Sequence, residues 1–121
     1  MIMKTRAAFA LATSFAIMPP AFADEWYDGG DLNDKDNVAW QEAEANNRLA
    51  SAANTVAALW TNEYLVAEIH AEITTMDAMK PYATQLMTCI DTATEKGFGG
   101  VRVNYSDMAL GCVMLMEWTK P

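Results

Sequence analysis

The chain has 121 residues, 52% of them apolar, and its sixteen acidic and eight basic side chains give a net charge of −8 at pH 7. So strong an acidic balance repels phosphate backbones and anionic lipid surfaces, which argues against nucleic acids and membrane surfaces as partners and favours a basic protein or a cation. The length suits one domain, and the two cysteines allow one disulfide.

Residues 1–23 follow the order of charged, apolar and small residues that is typical of a secretory signal peptide. Lys4 and Arg6 precede an apolar run over 7–18, and the small residues after it predict cleavage after Ala23. A membrane anchor needs about 20 apolar residues, whereas this run is shorter and is followed by two prolines. We therefore expect a periplasmic protein with no membrane span after cleavage. Its net charge would be −10, because the signal holds two of the eight bases and none of the sixteen acids.

Residues 24–33 predict a flexible acidic arm that precedes a single helical domain over 34–121. The arm combines closely spaced carboxylates with Gly29-Gly30 and has no hydrophobic periodicity. Trp26 and Tyr27 are the aromatic residues of this arm. Such a pair either docks on the helical body or stays available for a partner.

The first half of the domain predicts one long helix and one ambiguous segment. Residues 34–60 are rich in alanine, glutamate and asparagine, and they predict a helix with an interruption allowed at Asn46-Asn47. Residues 62–75 fit helical spacing but also the period-two alternation of a strand. Helix is favoured, because the chain offers no second run of similar length with which a strand could pair.

The second half predicts two helices on either side of a glycine-rich turn. Residues 76–96 have apolar side chains at helical spacing, and Gly97 can take the left-handed conformation that ends a helix. Ser106 is a suitable cap for a last helix over 108–118. That helix is apolar nearly all round, which indicates a central position in the domain.

The positions of the two cysteines predict a disulfide between these helices. Cys89 lies seven residues before Lys96, and Cys112 lies six residues after Ser106, so an antiparallel arrangement brings both thiols to nearly the same height above the turn. Export would place them in an oxidising compartment. We therefore predict an all-α fold, a small bundle of three to four helices whose last two form a disulfide-linked hairpin.

The residue types present argue against an enzyme. His70 is the only histidine, Ser51 and Ser106 are the only serines after the signal, and both cysteines are assigned to the disulfide. Catalysis by a nucleophile needs a base within hydrogen-bond reach, and the sequence offers no such constellation. We expect no catalytic residues and no cofactor.

A non-enzymatic protein that binds another, basic protein is the function that we expect. A domain of this size buries only about two thirds of the surface of its unfolded chain, so some of its aromatic side chains should stay exposed. Exposed aromatic residues among carboxylates suit a basic partner. The pairs expected to bind are Trp26 with Tyr27 and Trp60 with Tyr64.

Two alternatives belong to other functional classes. Thioether sulfur and imidazole are ligands for Cu(I), and the short stretch that holds His70, Met76 and Met79 predicts a copper-binding protein as the first alternative. The second is an acid-stress chaperone, in which carboxylates lose their charge below about pH 4 and apolar surface becomes exposed. In type alone, a small exported helical domain with one disulfide is similar to periplasmic acid-stress chaperones and to small immunity proteins that block secreted cell-wall enzymes.

Overall fold

The computed structural model describes residues 25–121, which fold into five α-helices and, within that range, contain no β-strand. The helices are α1 (Asn37–Glu42), α2 (Ala45–Thr61), α3 (Ala67–Glu72), α4 (Met76–Lys96) and α5 (Tyr105–Leu115). The prediction of an all-α fold that ends in a helical hairpin is confirmed. Over the same residues, no helix combines the length and the apolar content that a membrane span requires. The predicted signal peptide, residues 1–23, lies outside the described residues.

The long helix predicted for the first half is divided into α1 and α2, and the break lies at Ala43 and Glu44 rather than at Asn46-Asn47. Both break residues are extended, with ψ angles of 157° and 158°. The reason is a tertiary contact of α1. Trp40 is buried, and its indole N–H donates to the Asp91 carboxylate of α4 at 2.8 Å. This contact holds α1 against α4, and the chain leaves the helical conformation in the turn that follows.

Helix α4 begins and ends where the sequence predicts. The Thr75 hydroxyl accepts a hydrogen bond from the Ala78 amide at 3.1 Å, and Gly97 follows the last turn with a φ of +74°. The ambiguous segment before α4 contains the short helix α3, so helix was the correct choice there. The bounds of α4 and the helical conformation of the segment before it both depend on residues that are close to each other in the sequence.

Helix α5 begins at Tyr105, earlier than predicted, and its N-cap residue is Asn104 rather than Ser106. Pairing with the segment before α1 determines this start. Asp36 and Asn104 form an antiparallel bridge, and the Tyr105 amide donates to the Lys35 carbonyl at 2.8 Å. The serine therefore lies inside the first turn of α5 and is exposed.

The hydrophobic core lies where α4 packs against α1, α2 and α5. Alanine residues let α2 and α4 approach closely, since Ala52, Ala53 and Ala83 are almost completely buried. Larger buried side chains surround these alanines: Trp40, Val56, Leu65, Met79, Leu86, Ile90, Val113 and Trp118. Helix α4 is therefore the central helix of the bundle.

A disulfide joins Cys89 of α4 to Cys112 of α5, with the two Cα atoms 6.0 Å apart. The predicted bridge is confirmed. It spans 23 residues of sequence, and a cross-link over a loop of this length contributes about 3 kcal/mol, chiefly by restricting the unfolded chain. For a domain of this size that is a large share of the free energy of unfolding.

Helices α2 and α5 end in the same way and meet at their C-terminal ends. The residue after each C-cap, Glu63 or Glu117, has a positive φ, 60° and 59° respectively, a conformation that glycine adopts most easily. The amides of Tyr64 and Trp118 then donate to carbonyls five residues earlier, at 2.9 and 3.1 Å. The segments that follow pair through a short antiparallel bridge.

Residues 30–33, the last part of the segment predicted as a flexible arm, lie along α2. Polar side chains on one face of α2 bind the backbone of this segment. The Asn47 amide oxygen accepts a hydrogen bond from the Asp31 amide at 3.1 Å, and the Ser51 hydroxyl accepts one from the Leu32 amide at 3.0 Å. The leucine side chain is only 5% exposed, so this segment contributes to the core.

Candidate protein-binding surface

One side of α5 is buried and the other side faces solvent. The buried side consists of Tyr105, Met108, Ala109, Cys112 and Val113. The solvent side presents Leu110, Met114 and Leu115, which are 55%, 61% and 80% exposed and which we call the α5 ridge. The expectation that α5 is central is therefore wrong, because neighbouring elements cover only half of its surface. Several exposed apolar side chains on the solvent side of one helix indicate a candidate site of association.

A groove of about 520 Å³ runs beside the ridge, between α2 and α5. Small residues on the two helices, Ala58 and Ala109, help to leave this space open. Tyr105 lines its buried side, with the hydroxyl 2.6 Å from Thr55 Oγ1, and burial raises the pKa of Tyr105 to about 12. Tyr64 lines the groove near the C-terminal end of α2 and is 59% exposed. The groove has room for apolar side chains of a partner.

A second groove, of about 570 Å³, lies on the other side of the ridge, between α4 and α5. Gly111 lines this groove and has no side chain to fill it. The groove is open at this residue, since a Cβ atom there would have nothing within 4 Å. The disulfide between Cys89 and Cys112 lines this groove, and Lys96 and Asp107 are the charged residues that border it. The α5 ridge therefore stands between two grooves of similar size.

No family model, curated protein or solved structure matches the chain.

The predicted pair Trp26 and Tyr27 lies against the N-terminal end of α4. The two rings meet edge to face, with 5.4 Å between their centroids. The Trp26 indole N–H donates to the Asp77 carboxylate at 3.3 Å, and Lys80 Nζ lies 5.7 Å from the centre of the indole ring. Both aromatic side chains are half-buried. This aromatic pair therefore packs on the N-terminal end of α4 and does not lie beside α5.

The second predicted pair, Trp60 and Tyr64, is divided between two surroundings. The Trp60 ring stacks on the His70 ring with 4.8 Å between centroids and 4° between planes, and its indole N–H donates to the His70 carbonyl at 3.1 Å. Tyr64 instead lines the groove between α2 and α5. Of the four aromatic residues predicted to bind a partner, only this tyrosine lies next to the α5 ridge.

The residues of the copper alternative lie around Trp60 but do not share one cavity. Met76 and Met79 line a cavity of about 400 Å³ together with the Trp60 ring, and Met79 is buried in the core. His70 lines a different, smaller groove. Within residues 25–121, no group of three or more His, Cys, Asp or Glu side chains lies close enough together to hold a metal ion.

Sequence reasoning missed Leu110, Met114 and Leu115. The signal for them in the sequence is the all-round apolar character of α5. That character indicates that the helix is covered on every side, but the cover can come from a partner as well as from the same domain. The sequence therefore shows that α5 is apolar on nearly all sides, but it does not show which side the rest of the domain leaves uncovered.

Proposed function

We propose that this chain is a small non-enzymatic protein that binds another protein through the α5 ridge. One observation carries the proposal: three apolar side chains on the solvent side of α5, Leu110, Met114 and Leu115, are 55%, 61% and 80% exposed. Covering them would contribute about 4 kcal/mol of apolar transfer free energy, taking roughly 1.5–3 kcal/mol for each side chain that is buried completely. The two grooves beside the ridge would accept side chains of the partner.

Three side chains of types that often catalyse reactions, Ser51, His70 and Cys89, have structural roles in the part of the chain that the structure describes. Ser51 accepts a hydrogen bond from a backbone amide in the interior. His70 is stacked on Trp60, and Cys89 is bonded to Cys112. These roles support a binding function over catalysis.

We also propose that the protein works in the bacterial periplasm after removal of residues 1–23. The support is the signal-like order of those residues together with a disulfide, which persists in an oxidising compartment. Protein purified from a periplasmic extract should begin at Asp24 when its N-terminus is sequenced. An intact N-terminus that still carries Met1 would contradict this proposal.

The binding proposal is tested by affinity capture from a periplasmic extract with three immobilised proteins. The first is the wild-type chain, and the second carries Leu110→Ser, Met114→Ser and Leu115→Ser. The third carries Val101→Ser, which removes a side chain that is 62% exposed but does not belong to the ridge. A protein retained by the wild type and by the control, but lost from the triple variant, is the expected result. Equal retention on all three would refute the proposal, provided that circular dichroism shows the triple variant to be folded.

Binding of Cu(I) is a second proposal, and the thioethers of Met76 and Met79 in one cavity are the observation that favours it. The imidazole of His70 would have to leave its stack on Trp60 to join them. Anaerobic titration with Cu(I) should then give saturable binding that is weakened by Met76→Leu. Absence of saturable binding, or identical binding by the variant, would end the copper proposal.

A further inference from the structure

We infer that the partner segment bound to the α5 ridge is a cationic amphipathic α-helix whose basic side chains face Asp107 and Glu117. This inference rests on the proposed function and adds the charge and the shape of the partner. The acidic residues at the two ends of the ridge indicate that the partner is cationic, and the grooves beside the ridge indicate that it is helical.

The exposed side of α5 has an apolar middle and an acidic residue near each end. Asp107, Leu110 and Met114 follow one another at intervals of three and four residues within α5, and all three are exposed. This is the spacing of side chains that share one face of a helix. Glu117, which is also exposed, lies two residues beyond the last residue of α5 and has a positive φ, so it marks the C-terminal end of the ridge without continuing the helix.

Neither carboxylate has a cationic partner in the part of the chain that the structure describes. The ion pairs found there join other residues, namely Lys35 with Asp34, Arg48 with Asp91 and Arg102 with Asp36. Lys96 borders the same groove as Asp107 without forming an ion pair with it. Asp107 and Glu117 are therefore available for basic groups of a partner.

A second copy of the chain is a poor occupant of this surface, because its charges would oppose those of the first. In a parallel pair of α5 helices, each carboxylate meets its own counterpart. In an antiparallel pair, Asp107 meets Glu117. Both arrangements place like charges together at both ends of the ridge, which disfavours association. The net charge of −8 on each chain adds repulsion at longer range.

The shape of the surface favours a helix over an extended peptide. One way in which an extended peptide gains affinity is by adding to the edge of a sheet, and residues 25–121 contain no strand that could offer such an edge. A ridge with a groove on each side is the surface against which a second helix packs its own rows of side chains. Basic residues beyond each end of the apolar face of that helix would meet the two carboxylates.

The inference is tested with two fluorescent model peptides that share one apolar face of leucine. The polar face is lysine in the first peptide and glutamate in the second, and binding is measured by fluorescence anisotropy at low and high salt. We expect the leucine–lysine peptide to bind the wild-type protein, with affinity that falls as salt is added. We expect no binding of the leucine–glutamate peptide.

Charge reversal separates the two proposed contacts from general attraction to an acidic protein. The variant Asp107→Lys/Glu117→Lys should bind the leucine–lysine peptide about tenfold more weakly than the wild type. The matched control is Glu42→Lys/Glu68→Lys, which makes the same change in net charge at exposed residues of α1 and α3. We expect this control to retain most of the affinity. Equal losses in the two variants, or tight binding of the leucine–glutamate peptide, would overturn the inference.

The variant Leu110→Ser/Met114→Ser distinguishes failure of this inference from failure of the proposed function. If the serine variant no longer binds the leucine–lysine peptide while the Asp107→Lys/Glu117→Lys variant still binds it, the ridge binds proteins but Asp107 and Glu117 do not select a cationic partner. If the serine variant binds as well as the wild type, or if the wild type binds neither peptide, the inference and its basis in the ridge are both overturned. A wild-type dimer seen by light scattering and abolished in the serine variant would show that the occupant is a second copy.

Discussion

Substitution of Gly30 by alanine should release residues 30–33 from α2. A Cβ atom at Gly30 would lie 2.5 Å from the Ser51 backbone nitrogen and 2.6 Å from the Ala50 carbonyl carbon. Both atoms belong to the backbone in the buried middle of α2 and have no freedom to move aside. The segment that carries Gly30 must therefore lift away from the helix.

The magnitude follows from the contacts that lifting would break. Five hydrogen bonds hold residues 31–33 on α2. The three that involve a backbone group, at 3.1, 3.0 and 3.0 Å, each contribute about 1 kcal/mol, and the two between exposed side chains contribute less. Burial of Leu32, which is 5% exposed, contributes about 2 kcal/mol more. Recovered chain entropy offsets part of this sum. We expect a loss of about 2–3 kcal/mol in the free energy of unfolding, within the range of substitutions that disrupt core packing.

The assay is urea denaturation followed by circular dichroism and tryptophan fluorescence, with the disulfide intact. The midpoint of Gly30→Ala should fall by roughly 1–2 M urea. Gly111→Ala is the matched control, because an added Cβ there has nothing within 4 Å and alanine in a helix is about 0.5–1 kcal/mol better than glycine. If Gly30→Ala has wild-type stability within 0.5 kcal/mol, the packing of this segment on α2 has been misjudged.

Four other substitutions or changes of conditions have expected outcomes that can be measured in the same way. Glu117→Gly should raise the melting temperature, because glycine removes about 1 kcal/mol of left-handed strain at a φ of 59°; an unchanged or lower value would contradict the strain. The double variant Cys89→Ala/Cys112→Ala should unfold with about 3 kcal/mol less free energy than the oxidised protein, and a loss below 1 kcal/mol would show that the bridge restricts the unfolded chain little. Burial raises the pKa of Tyr105 to about 12, so its contribution to stability, complete below pH 10, should decline by up to about 2–3 kcal/mol as the pH rises to 12, and Tyr105→Phe should remove this part of the alkaline loss of stability. Hydrogen bonds from the Ala39 amide and from Arg102 lower the pKa of Asp36, so its contribution should be present above about pH 4 and disappear as the pH falls through its folded pKa; Asp36→Asn should flatten this part of a pH titration of stability.

Features that depend on neighbouring residues in the chain could be predicted from the sequence. The start and end of α4 follow from the hydroxyl of Thr75 and from the left-handed Gly97, both of which act on backbone groups within one turn. The disulfide follows from the equal heights of Cys89 and Cys112 on two antiparallel helices, which is a consequence of helical rise alone.

Features that depend on distant residues could not be predicted in this way. The break between α1 and α2 follows a hydrogen bond from Trp40 to Asp91, two residues separated by 51 positions. The start of α5 depends on pairing of Asn104 with Asp36, which the periodicity of α5 does not reveal. In each case a local pattern permitted several boundaries, and a tertiary contact selected one of them.

The candidate site shows the same division between local and tertiary information. The amino-acid sequence by itself determined that α5 is apolar on nearly all sides and that a disulfide joins it to α4. Only the tertiary structure decided that Leu110, Met114 and Leu115 stay exposed. The physical reason is that a helix in a small bundle has too few neighbours to be covered all round, and the side that stays open is set by the packing of the whole domain.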